Sequence, residues 1–180
     1  MKSRIFISLN IPDKAKKRLI LATEKWQNLP VKWIREANLH ITLIFLGLIS
    51  EEAILEICEK TRAICEKENI FDIEFDQIEL FPSKEEPKII ALTGKPSEEL
   101  KNLVNNIEKE LGISNTPKKS FRAHITLGRI RKYKWEALES KPEILEKFPL
   151  NLSIESVEII SSELNEKGSN YLTLESCPLK

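Results

Sequence analysis

Histidine is nearly absent from this chain: two residues in 180, against 28 Lys+Arg and 28 Asp+Glu. Cysteine is scarce too. Cys58, Cys65 and Cys177 are an odd number with no metal-finger spacing, so they are expected to be small buried hydrophobes in a reducing compartment. Five Gly and nine Pro are too few for a collagenous or low-complexity chain. No apolar run approaches the roughly 20 residues of a membrane span. The opening Met1-Lys2-Ser3-Arg4 followed by an apolar stretch resembles a signal peptide only briefly. Asn10, Pro12 and Asp13 cut it short and no small-residue cleavage site follows, so a soluble, cytoplasmic protein is expected. Zero formal net charge removes the polycation classes, and any nucleic-acid contact must come from a local patch.

What is present is an ordinary globular balance, 41% hydrophobic and 31% charged, at a length that suits one domain or two small lobes sharing a core. Ile5, Ile7, Leu9 and Ile11 alternate as in a half-buried strand. Pro12-Asp13 opens a helix to about Gln27, and strands follow near 31–34 and 39–46. Ser50 caps a helix to about Lys67. Residues 70–80 and 88–93 read as strands, and Pro96-Ser97 opens a helix stopped by Gly112. A strand over 121–130, a helix near 135–147, and strands near 152–160 and 171–175 complete the reading.

Sliding the chain by 84 residues lays Ile89–Leu92 on Ile5–Ser8 and the helix after Ser97 on the helix after Asp13. The same shift lays His124-Ile125-Thr126-Leu127 on His40-Ile41-Thr42-Leu43. Two related lobes facing each other across a pseudo-two-fold axis are therefore expected. Both histidines of the chain sit in this one tetrapeptide. In a strand, each histidine shares a face with the threonine two residues on, while Ile and Leu point into the core. Two imidazoles and two hydroxyls around one small volume suit a phosphodiester: one imidazole takes a proton, the other gives one, and the hydroxyls donate to phosphate oxygens. Two satisfied strand histidines left by an old duplication are the plainer alternative. A zinc site wants three or four ligands, and two histidines with distant cysteines supply too few, so no metal is expected.

From Leu111 to Trp135 there is no acidic residue, while Lys118, Lys119, Arg122, Arg129, Arg131, Lys132 and Lys134 flank the second motif. Phe121, Tyr133 and Trp135 interleave with them, as in grooves that stack bases. A solvated basic edge with core aromatics is the other reading.

These motifs resemble the two-histidine phosphoesterase superfamily, and more closely the archaeal and bacterial RNA 2′,3′-cyclic phosphodiesterases, also called 2′-5′ RNA ligases. The resemblance spans nearly the whole chain, from R-I-F-I-S-L-N-I-P at Arg4 to S-E-L-N-E-K-G-S-N-Y ending at Tyr171. Between them lie W-I-R-E-A-N-L-H-I-T-L-I-F-L-G at Trp33–Gly47 and Phe121–Arg129, with Ala123 where that family usually has Pro. The resemblance implies an α+β fold in one two-lobed domain over residues 1–180, with antiparallel sheets lining a central cleft and helices outside. It implies opening of RNA 2′,3′-cyclic phosphate ends to a 2′-phosphate by a monomer without cofactor or metal, tRNA fragments being one candidate substrate. His40 would be the proton donor and His124 the acceptor, although the residues themselves leave those two roles open. Thr42 and Thr126 would hold the phosphate. Arg129 would assist, but strict alternation puts it on the face opposite His124, so it needs a bulge or a long reach. Phe6, Phe45 and Tyr171 are the candidate base-stacking residues. Joining of RNA ends, a non-catalytic end-binding module, and small cyclic phosphates such as ADP-ribose 1″,2″-cyclic phosphate remain the competing readings.

Overall fold

The computed structural model describes residues 1–113 and 121–180. Nine strands run as β1 (Lys2–Leu9), β2 (Val31–Trp33), β3 (Ile41–Ser50), β4 (Phe71–Phe81), β5 (Ile89–Gly94), β6 (His124–Ile130), β7 (Leu145–Ile154), β8 (Ser156–Asn165) and β9 (Gly168–Pro178). Four helices join them: α1 (Asp13–Thr23), α2 (Glu51–Cys65), α3 (Glu98–Glu110) and α4 (Lys132–Glu136). The Ser50 and Ser97 hydroxyls accept the Ala53 and Leu100 amides at 3.4 and 3.2 Å, capping α2 and α3. Paired glutamates follow in each first turn, Glu51-Glu52 and Glu98-Glu99, where the helix dipole favours negative charge. Gly112, at φ +66°, supplies the left-handed residue that ends α3.

Two antiparallel sheets result, ordered β3-β1-β8-β9 and β2-β6-β5-β4-β7. In the first, β1 and β3 of the N-terminal half are completed by β8 and β9. In the second, β5 and β6 are completed by β4 of the N-terminal half, then β7. The last strand of each repeat thus crosses into the other repeat's sheet. The helices cross likewise, α1 packing toward β6 and α3 toward β3. This is the two-lobed, pseudo-symmetric arrangement that the 84-residue repeat implies, in the α+β fold that the family resemblance implies.

β1 departs from the simple alternation expected of it, because Ile5 through Leu9 are all buried. It is a central strand with β3 and β8 on either side: Ile5, Ile7 and Leu9 join the core, while Phe6 turns toward the other face under His40 and Tyr171. The C-terminal third corrects the sequence reading more fully. The helix expected near 135–147 stops at Glu136, where the Lys141 ammonium donates to the carbonyls of Trp135 and Glu136 at 2.8 Å and of Leu138 at 3.1 Å. Residues 145–154 instead form edge strand β7, where Pro149 costs no internal ladder bond. The single strand expected over 152–160 is two, broken at Glu155, where the chain leaves one sheet for the other.

The three cysteines are free and buried. Cys65 is held well above the ordinary thiol value by its hydrogen bond to Cys177 and then by burial. The motif anchors Ile41, Leu43, Ile125 and Leu127 all lie in the core. Gly128 is tightly enclosed: a Cβ there would fall 2.4 Å from Val31 Cγ1 and 3.0 Å from Trp33 Cε3. Gly128→Ala is expected to push β2 off the sheet edge and to destabilise by about 1–3 kcal/mol. A lowered denaturant midpoint checks this, and an unchanged midpoint would show that β2 yields without cost.

Candidate active site

Each histidine ring is fixed by the carbonyl two residues before it. His40, just ahead of β3, donates from Nδ1 to the Asn38 carbonyl at 2.7 Å, and His124, opening β6, donates from Nδ1 to the Arg122 carbonyl at 3.1 Å. A carbonyl can only accept, so both tautomers are set with the proton on Nδ1 and Nε2 is left for chemistry. Asn38 is itself tied down, its amide donating to the Ser169 carbonyl at 2.9 Å beside Arg35, which meets the same oxygen. Arg122 is pinned through its guanidinium to Thr93 Oγ1 at 3.3 Å, the Gly94 carbonyl at 3.4 Å and the Glu79 carboxylate at 3.6 Å.

Thr42 and Thr126 follow on the same faces, and then both strands bulge. In β3, Thr42 pairs with Ser8 and Ile44 with Ile7, leaving Leu43 extra; in β6, Thr126 pairs with Ala91 and Gly128 with Ile90, leaving Leu127 extra. The two bulges occupy equivalent positions of the repeat. One extra residue inverts the alternation, so the side chain three after each threonine returns to the face its histidine occupies. That residue is Phe45 in one lobe and Arg129 in the other. The bulge that Arg129 requires is therefore present.

Between the lobes lies a cleft of about 660 Å³ lined by all eight residues singled out in the sequence: His40, His124, Thr42, Thr126, Arg129, Phe6, Phe45 and Tyr171. Arg4, Asn38, Phe121 and Ser162 line it as well, and none of its described lining residues is acidic. Two guanidiniums and no carboxylate make this an anion-attracting volume. Of the described residues of the basic run around the second motif, only Arg129 lines the cleft. Lys118 and Lys119 lie outside the described residues. Lys132, Tyr133, Lys134 and Trp135 belong to α4, with Trp135 buried in the core and Tyr133 exposed.

The two imidazoles differ in surroundings. His40 is packed on Phe6 (ring centroids 5.0 Å) and met edge-on by Tyr171 (5.5 Å), and its Nε2 is 2.7 Å from Thr42 Oγ1. Burial pushes it below the ordinary imidazole value, the charges of Arg129, Lys16 and His124 add to that, and the Asn38 carbonyl opposes. His124 stacks on Phe81 at 4.8 Å, and its Nε2 has no partner among the described residues. Phe45 is 74% exposed at the cleft, whereas Phe6 is 4% exposed and supports His40 from beneath. Sequence reasoning missed Asn38, Arg4, Lys16, Phe81 and the part played by Arg122, because a backbone carbonyl or a stacked ring leaves no motif. Among the described residues, no cluster of three His, Cys, Asp or Glu could hold a metal ion, and no helix is long and apolar enough to cross a membrane.

A duplicated pair of antiparallel sheets, each presenting one H-x-T motif to a shared cleft, is the arrangement that the resemblance to the two-histidine phosphoesterase class implies. Comparison with known proteins narrows the class. Residues 11–166 match the family model of the 2′-5′ RNA ligase superfamily, and the chain belongs to that family. It is 30% identical over 181 residues to an RNA 2′,3′-cyclic phosphodiesterase of Thermotoga maritima, covering 97% of this chain and 94% of that protein. A protein of the same name from Archaeoglobus fulgidus is 26% identical over 175 residues, covering 95% and 97%. Among solved structures, a Thermus thermophilus protein superimposes with a TM-score of 0.81 at 24% identity, covering 98% of this chain and 97% of that one. E. coli LigT complexed with 3′-AMP gives 0.80 at 21% identity, covering 100% and 99%. At these identities the superpositions show the fold.

The depressed His40 proton affinity has a consequence for stability. The unfolded imidazole, near 6.5, takes its proton before the folded one does as pH falls. This contribution is intact above that value and is lost as pH drops through it toward the folded value. Between about pH 7.5 and about pH 5 the thermal midpoint is expected to fall, and to fall less in His40→Gln. Parallel pH profiles for the two proteins would show that His40 is not held low.

Proposed function

We propose that this protein opens RNA 2′,3′-cyclic phosphate ends to a 2′-phosphate, with the two histidines as acid and base and without a metal. The observation that carries the reading is the pair of imidazoles, each held through Nδ1 by a backbone carbonyl, in a cleft whose described lining has two guanidiniums and no acid. The relatives named RNA 2′,3′-cyclic phosphodiesterase, one of them 30% identical over nearly the whole chain, support the substrate class.

In this reading the cyclic phosphate lies between the threonine hydroxyls, with Arg129 against its non-bridging oxygens. His124, whose Nε2 has no partner among the described residues, accepts a proton from water as that oxygen bonds to phosphorus. The P–O3′ bond breaks in line, and His40 gives its Nε2 proton to the departing O3′. Burial disfavours the imidazolium of His40, and the negative charge of a bound phosphate favours it, so His40 takes up its proton with substrate and gives it up readily to the leaving oxygen. Exposed Phe45 offers a face for the terminal base. The two lobes work as one unit, since each sheet holds strands of both repeats. Cytoplasmic RNA ends, tRNA fragments among them, are the substrates.

The test is an RNA ending in a 2′,3′-cyclic phosphate, incubated in EDTA and followed by mass. Gain of one water with resistance to a 3′-specific phosphatase is expected, and an unchanged end would sink the reading. His40→Ala and His124→Ala should each lower kcat by about 10² to 10⁴ while circular dichroism stays that of the parent. A substrate with sulfur in place of O3′ needs no acid for its leaving group. It should restore turnover to His40→Ala and not to His124→Ala, and the opposite pattern would exchange the two roles.

A further inference from the structure

The cleft is one of two cavities that meet at His40. A second, of about 460 Å³, lies behind that ring, bounded by α1, the turn at Ala37–Asn38 and strands β8 and β9. Phe6, Asn38, His40 and Tyr171 line both cavities and form the wall between them. Their chemistry differs. The first is acid-free, whereas the second is rimmed by hydroxyl and amide groups together with one ammonium, Lys16, and one carboxylate, Glu158.

Glu158 is 9% exposed, and an isolated carboxylate at that depth is costly unless it is bonded. Its Oε1 accepts from Ser156 Oγ at 2.6 Å and from Ser176 Oγ at 2.9 Å. Among the described residues no hydrogen bond engages Oε2, which leaves that oxygen as an acceptor. Lys16 forms no ion pair among the described residues, although it faces the same cavity as Glu158. Two opposite charges therefore share one polar volume, each with bonding capacity unspent. A carboxylate oxygen of this kind suits a ribose hydroxyl, and an ammonium suits a phosphodiester. A ribonucleotide carries both.

We propose that the second cavity is a subsite for the ribonucleotide preceding the RNA end, its 2′-hydroxyl donating to Glu158 and its phosphate lying against Lys16. The direction of the strand rests on the proposed reaction: His40 protonates O3′, so the terminal ribose and the strand it ends lie on the His40 side, and water arrives from the His124 side. The tyrosine and phenylalanine of the shared wall then separate the terminal nucleoside from its neighbour.

Calorimetry on the full chain tests this with three probes: a nucleoside 2′-phosphate, a dinucleotide ending in a 2′-phosphate, and that dinucleotide lacking the 2′-hydroxyl of its first nucleotide. The parent protein should bind the dinucleotide about tenfold more tightly than the mononucleotide, and lose several-fold when the hydroxyl is missing. Glu158→Gln should lose the same factor and become indifferent to the missing hydroxyl, as expected when both changes remove one contact. Lys16→Gln should shrink the dinucleotide advantage while keeping the hydroxyl effect. Mononucleotide affinity should stay within about twofold in Glu158→Gln, and the circular dichroism of both variants should match the parent, which reports that they fold. Equal binding of mono- and dinucleotide by the parent, or a Glu158→Gln protein still sensitive to the hydroxyl, would overturn the subsite. If Glu158→Gln does not fold, the deoxy probe on the parent and Lys16→Gln decide the matter alone. Turnover of the corresponding cyclic ends, run in parallel, separates the two ideas: discrimination without turnover removes the reaction and leaves the subsite, and turnover without discrimination does the reverse.

Discussion

Neither sheet can complete its hydrogen-bonded ladder from its own half of the chain. β1 needs β8 on its inner edge, and β5 needs β4, so each repeat must lend its last strand to the other before either central strand is satisfied. That exchange fixes how the lobes face each other. It seats α1 near β6 and α3 near β3, and it brings two motifs 84 residues apart to one cleft.

Within that frame the two halves are matched in backbone and unmatched in chemistry. Equivalent bulges at Leu43 and Leu127 turn equivalent side chains toward the cleft, but one is a phenylalanine and the other an arginine. Equivalent carbonyls hold both Nδ1 atoms, but one ring is walled in by Phe6 and Tyr171 while the other lies on Phe81. A symmetric scaffold carrying asymmetric contents suits an asymmetric task. One imidazole must lose a proton while the other gains one, and a nucleotide has an apolar base at one end and an anion at the other. The burial that sets His40 apart is a cost to the fold at low pH, and the deep anchors Ile41, Leu43, Ile125 and Leu127 help to offset it at about 1.5–3 kcal/mol each.

The second cavity extends the same logic. It shares the His40 wall yet holds a carboxylate, which the first cavity excludes. A carboxylate beside the reacting phosphate would oppose it; set one ring further back, the same group can read a neutral sugar. Chain direction thereby becomes a property of the protein's electrostatics as well as of its shape.

Much of this was legible beforehand, and for identifiable reasons. Period-two alternation around His40 and His124, serine caps at 50 and 97, and the 84-residue repeat are local or self-referential signals, and they determined the strands, the helices α2 and α3, the duplication and the paired-histidine site. The requirement that Arg129 bring a bulge with it was also readable, because alternation is a strict rule. Other features were not legible. Whether residues 145–154 extend or coil depended on an open edge at β4, which is remote in sequence, and on Lys141 capping α4, a local contact made to backbone carbonyls that leaves no pattern. The hold of Asn38 and Arg122 on the rings is made by carbonyls, which every residue carries. The placing of Lys16 and Glu158 in one cavity brings together residues 142 positions apart across the exchanged strand. Sequence by itself determined which side chains could do chemistry; which of them share a volume, with what burial and what charge, was decided only when the two halves traded strands.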